Sequence, residues 1–189
     1  MSSQTRKIGC LVVAFLVSLF MYTFLHEFGH LVVALWCGST ITEFSILSSH
    51  VSFYGGNYND LSLMVLHVSG ILLPVLVAFG YFLFYKDSKN MFYQMFSYIF
   101  CIMPICSLLA WVVIPIAYIF NQAPVYDDVT KFLDVFTKWY HPLVISFVAL
   151  LLIIILVRLF SFSGSQISLS FILVCFYIRP TCCRMACLK

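Results

Sequence analysis

The chain has 189 residues, of which 63% are hydrophobic and only 9% charged, with a formal net charge of +3. A soluble domain carries about a quarter charged residues, so this composition, at a mean hydropathy of +1.05, excludes a water-soluble globule. It implies an integral, multi-pass protein with membrane lipid as its surroundings. The small positive charge bears on orientation in a bilayer and gives no reason to expect a nucleic-acid partner.

About 20 apolar residues cross a bilayer. By that measure four spanning helices are expected, at residues 8–36, 61–85, 91–120 and 143–160. The first runs on past Leu25 without a small-residue cleavage site, which is longer than the apolar core of a signal peptide. Between the first and second, residues 38–60 contain "ITEFSILSSHVSFYGG", rich in β-branched and aromatic residues with turn formers in the middle and at the end. That pattern predicts a small β-hairpin, expected on the membrane surface. In the third helix Pro104 and Pro115 should introduce kinks, freeing carbonyls that neighbouring helices must satisfy. The connection 121–142, "NQAPVYDDVTKFLDVFTKWYHP", holds three of the seven acidic residues and turns amphipathic after Asp128. Beyond the fourth helix an apolar piece at 167–178 is too short to span and is expected in the interface. The fold class is therefore an all-α polytopic membrane domain over 1–160, with a hairpin between helices one and two. A Cys-rich tail follows over 161–189.

Of the eight cysteines, Cys10, Cys37, Cys101 and Cys106 lie in or beside apolar segments and read as small core residues. Cys175, Cys182, Cys183 and Cys187 crowd the tail without a standard zinc-knuckle spacing. No disulfide framework follows. Orientation is read from Lys and Arg. Arg6, Lys7, Lys86, Lys89, Arg158, Arg179, Arg184 and Lys189 fall on one side of the expected topology, and Lys131 and Lys138 on the other. Both termini are expected to be cytoplasmic.

The stretch "FLHEFGHLVVAL", residues 24–35, sets His26, Glu27 and His30 inside an otherwise greasy helix. Ionisable groups at membrane depth are costly and usually tied to function. Residues i and i+4 share a helical face, so His26 and His30 can offer two imidazole nitrogens to one ion. Glu27 stands one step round. This is the His-Glu-x-x-His arrangement, with two zinc ligands and a carboxylate to take a proton from water. Gly29 keeps that side open for close approach by a substrate or another helix.

A catalytic zinc site needs a third protein ligand. Glu43 and His50 in the hairpin, His67 in the second helix, His141 before Pro142, and the pair Asp127 and Asp128 are the candidates. The connections 38–60 and 121–142 share a side, so the "YDD" stretch can reach the depth of His26. Two other readings use the same residues. The polar groups could simply pair between helices, or His30 and His67 could ligate a haem, which leaves Glu27 without a role.

"HEFGH" in the first apolar helix, a short β-rich connection and a late Asp together resemble the site-2 protease family of intramembrane zinc metalloproteases, in particular its short branch. The resemblance covers roughly residues 20–135. It implies a zinc cofactor, Glu27 as catalytic base, and His26 and His30 as metal ligands. Aligning "DDV" on the family's Asp motif implies Asp128 as the third ligand, with Asp127 the runner-up. "SGILLP", ending at Pro74, is loosely similar to the family's Gly-Pro element. The implied partner is a single-span membrane protein as substrate, chosen without a PDZ-like domain. A non-catalytic protein on the same scaffold, binding zinc or a partner, is the alternative.

Overall fold

A computed structural model describes residues 3–163, apart from residue 87. Seven elements follow in chain order: α1 (Ser3–Trp36), β1 (Ser39–Ser45), β2 (His50–Gly55), α2 (Asp60–Leu83), α3 (Met91–Ile119), α4 (Asp128–Phe136) and α5 (Leu143–Ser163). Four helices (α1, α2, α3 and α5) are long and apolar enough to cross a membrane. Their bounds lie close to the expected ones. The 167–178 segment and the four tail cysteines lie outside the described residues.

Apart from its ionisable residues, α1 is apolar on every side. It packs against α2 and α3, while α3 also packs against α5. Side-chain caps set where the other helices begin. Asn59 and Ser62 form a reciprocal capping box on α2, and the Asn90 side chain accepts from the Tyr93 amide at the start of α3. Each satisfies amides that have no partner inside the helix.

Pro104 and Pro115 are buried within α3, which continues through both. A proline at position i denies a partner to the carbonyl of i−4 and crowds that turn. Near Pro115 the Ser146 hydroxyl of α5 donates to the Val112 carbonyl at 2.8 Å, one residue on from the Trp111 carbonyl that the proline leaves without its helical partner.

The hairpin forms between α1 and α2, as expected. Gly38, at φ +82, ends α1 in the left-handed conformation that a glycine adopts freely. The chain then turns back along α1 instead of spreading over its end. Strands β1 and β2 pair antiparallel, from Ser39 opposite Gly55 to Ser45 opposite His50, with a bulge between Ile41 and Glu43. Ile41, Phe53 and Tyr58 pack on a buried cluster of Val33, Ala34 and Leu66. Farther along, the Phe44 ring meets Phe24 edge-on at 6.2 Å. Burying these apolar side chains against α1 and α2 outweighs leaving the hairpin free, and it carries the turn back to the level of Glu27.

α4 lies against α2 and α3. Its apolar face buries Val129, Phe132 and Leu133, the last completely, and Phe132 meets the Trp111 ring at 5.3 Å. The cysteines meet the composition-based reading in part. Cys10 and Cys37 are half-buried and pack against buried apolar clusters, Cys101 is half-buried with its thiol 3.8 Å from the Ala78 carbonyl of α2, and Cys106 is exposed. Their positions on apolar segments reflect helix faces turned outward as much as inward.

Candidate metal centre

α1 and α2 approach each other closely where the histidines stand. A Cβ on Gly29 would overlap the Ser69 carbonyl, so glycine there lets the α2 backbone come in. The approaching element is thus a helix. Across the contact, a Cβ on Gly70 would lie 2.5 Å from His30 Nε2 and 2.7 Å from His26 Cε1. The absence of a side chain at Gly70 makes the space in which both imidazoles sit.

His30 is 7% exposed, and its Nδ1–H donates to the Leu66 carbonyl at 2.8 Å. That bond fixes the tautomer and leaves Nε2 with its lone pair turned inward. His26 Nε2 lies 3.3 Å from His30 Nε2. The third corner is Asp128, whose Oδ2 is 3.0 Å from His30 Nε2 and 3.2 Å from His26 Nε2. Three lone-pair atoms this close repel one another unless a proton or a cation stands between them. Zinc bonds of about 2.0–2.1 Å at tetrahedral angles separate ligand atoms by about 3.3 Å. The observed triangle has that edge length, and two imidazoles with one carboxylate are a zinc-type donor set. The residues fit the ion.

Asp128 reaches the triangle because it is the first residue of a helix clamped by its apolar face. Burial alone would raise the Asp128 carboxyl. When the imidazole nitrogens facing it carry protons, contacts with His26, His30 and His67 outweigh that and hold it well below the usual carboxylate range. Its other oxygen, Oδ1, is 3.7 Å from His67 Nδ1. His67 thus stands behind the carboxylate, within ion-pair reach of it. His30 and His67 reach opposite oxygens of one carboxylate, which leaves no space for a macrocycle between them and removes the haem reading.

The other candidates are engaged elsewhere. Asp127 is the N-cap of α4, its Oδ1 accepting from the Val129 amide at 2.8 Å. Glu43 and His50 pair with each other across the hairpin at 3.4 Å. His141 Nδ1 accepts from the Leu143 amide at 3.3 Å, near the start of α5.

Glu27 is 4% exposed and lines the same cavity as His26, His30 and Asp128, a space of about 360 Å³. At about 30 Å³ per water molecule, that volume admits water and a short length of extended chain. β2 contributes His50, Val51 and Phe53 to its wall, and α4 contributes Lys131. One polar contact was not legible in the sequence. The Ser49 hydroxyl donates to Glu27 Oε1 at 2.8 Å. The signal was only the serine pair in the expected turn; which serine would face α1 depends on how the hairpin docks.

Comparison with protein-family models, with curated proteins and with solved structures found no match to this chain.

Proposed function

We propose that this protein is a multi-pass membrane zinc metalloprotease of the site-2 type, cutting peptide bonds of membrane-embedded, single-span proteins. Both termini are assigned to the cytoplasm. The observation that carries the reading is a buried carboxylate, Glu27, lining one cavity with a three-atom ligand set of zinc dimensions. A metal carrier needs the ligands but has no use for Glu27, and a purely structural cluster needs neither the cavity nor the matching edge lengths.

His26, His30 and Asp128 would hold the ion, with His67 and the Leu66 carbonyl orienting two of them. Zinc held there supplies Lewis acidity, bringing the pKa of water to about 7 and polarising a carbonyl. Glu27 takes the proton of the attacking water as its oxygen bonds to the peptide carbon. The same carboxyl then protonates the departing amine as the C–N bond breaks. Peptide bonds in a helix are masked by their own hydrogen bonds, so the substrate must first be drawn out. The unpaired edge of β2, beside the cavity, can take an extended segment by strand addition.

The test is a co-expressed library of tagged single-span proteins, compared between wild type and Glu27→Gln. This variant keeps size and hydrogen bonding but loses basicity. Substrates accumulate uncut with the variant. If no membrane protein differs while both forms bind zinc, the protease reading fails and the non-catalytic scaffold replaces it.

A further inference from the structure

Glu27 has three side-chain torsions and is not itself a corner of the ligand triangle, so something else must hold its carboxylate. Among the described residues, the hydrogen bond to it comes from Ser49. Ser49 closes the hairpin turn, its amide donating to the Ile46 carbonyl at 3.3 Å. Its φ is +48, in the left-handed region that serine has no intrinsic reason to occupy. That backbone conformation accompanies an Oγ directed onto Glu27 Oε1 at 2.8 Å. The neighbouring Ser48 hydroxyl is used within the hairpin, on Ser45 and on His50 at 2.9 Å. Ser49 therefore crosses to α1 and Ser48 does not. The hairpin that carries it is fixed through Phe44 on Phe24 and through Ile41 and Phe53 on the α1–α2 cluster. The donor is held from both strands.

We propose that Ser49 is a positioning residue for Glu27: its hydroxyl holds one carboxylate oxygen and leaves the other to the cavity and the attacking water. This rests on the protease reading above and assigns the hairpin turn a part in turnover that is separate from substrate binding. A hydrogen bond to a charged group, and the geometry it enforces, correspond to about tenfold or more in rate.

Ser49→Gly is the informative variant, because glycine is at ease at this φ and the hydroxymethyl group is lost without backbone strain. The full chain is reconstituted with zinc, and cleavage is followed on the single-span protein that accumulates with Glu27→Gln. Ser49→Gly should lower kcat about tenfold or more, with KM within about twofold and zinc content unchanged. A second readout needs no turnover: melting of the zinc-free chain as wild type, Ser49→Gly, Glu27→Ala and the double variant. The shifts should be non-additive, the Ser49→Gly effect changing once Glu27 is gone. The proposal requires both results. Additive melting shifts, unchanged kcat, a rise in kcat, or a loss confined to KM each overturn it. If no uncut species accumulates with Glu27→Gln, the protease reading fails and the positioning role falls with it. A substrate cut equally by wild type and Ser49→Gly removes the positioning role alone.

Discussion

Asp127 and Asp128 are adjacent and chemically identical, and the backbone separates them. Asp127 stands outside the first turn of α4 and caps it, whereas Asp128 stands inside that turn and points at two imidazoles. Asp128→Ala should therefore abolish zinc retention after detergent purification. Asp127→Ala should keep zinc and lose about 1 kcal/mol of stability, as capping substitutions do. Atomic absorption on the two purified variants, with their melting temperatures, decides it, and reversed zinc contents would move the ligand by one residue. His67→Ala should weaken zinc binding about tenfold to a hundredfold, the usual effect of removing a group that orients a metal ligand. Competition against a chelator of known affinity measures that, and unchanged affinity would leave His67 without this role. The His26 and His30 pairing could be read from the sequence because i,i+4 spacing fixes it locally. The choice between the aspartates needed the resemblance, and the Ser49 contact could not be read at all, since it depends on a fold-back of about 13 Å along α1 at 1.5 Å per residue.

At the scale of elements, two packings bring His26, His30 and Asp128 together. α4 places Asp128 through its apolar face, in which Leu133 is completely buried. Leu133→Ala should cost about 2–5 kcal/mol by leaving a cavity, and it should weaken zinc binding without touching a ligand. A variant that melts lower yet holds zinc as tightly as wild type would show that α4 does not depend on that face. The second packing is the glycine contact of α1 with α2. Gly70→Ala would set a methyl group 2.5 Å from His30 Nε2 and 2.7 Å from His26 Cε1, so zinc content should fall even where expression is normal. Full zinc occupancy in Gly70→Ala would contradict the assigned geometry. The amphipathic pattern after Asp128 foretold a helix. The docking of the hairpin was not foretold, because β-pattern residues show that strands form and not what their faces meet.

At the scale of the molecule, four long apolar helices divide the connections between two sides by parity. The hairpin and the 121–142 connection share one, and the 84–90 connection and the chain ends share the other. We propose from the excess of Lys and Arg that the second side faces the cytoplasm. Single cysteines at Gln122 and at Ser88, in a background lacking the native ones, should label from outside intact cells at the first position only. The opposite pattern would invert the orientation and with it the face from which water reaches the cavity. The central claim is that Glu27 moves protons beside a zinc ion held by His26, His30 and Asp128. Reconstituted wild type and Glu27→Gln, stripped by chelator and reloaded, test it most directly on the substrate that accumulates with the variant. Both should bind about one zinc per chain, with zinc restoring cleavage to the wild type and leaving the variant slower by about a hundredfold or more, the scale of general-base catalysis. Equal cleavage by the two zinc-loaded forms, or cleavage by the wild type after zinc is removed, would contradict the account.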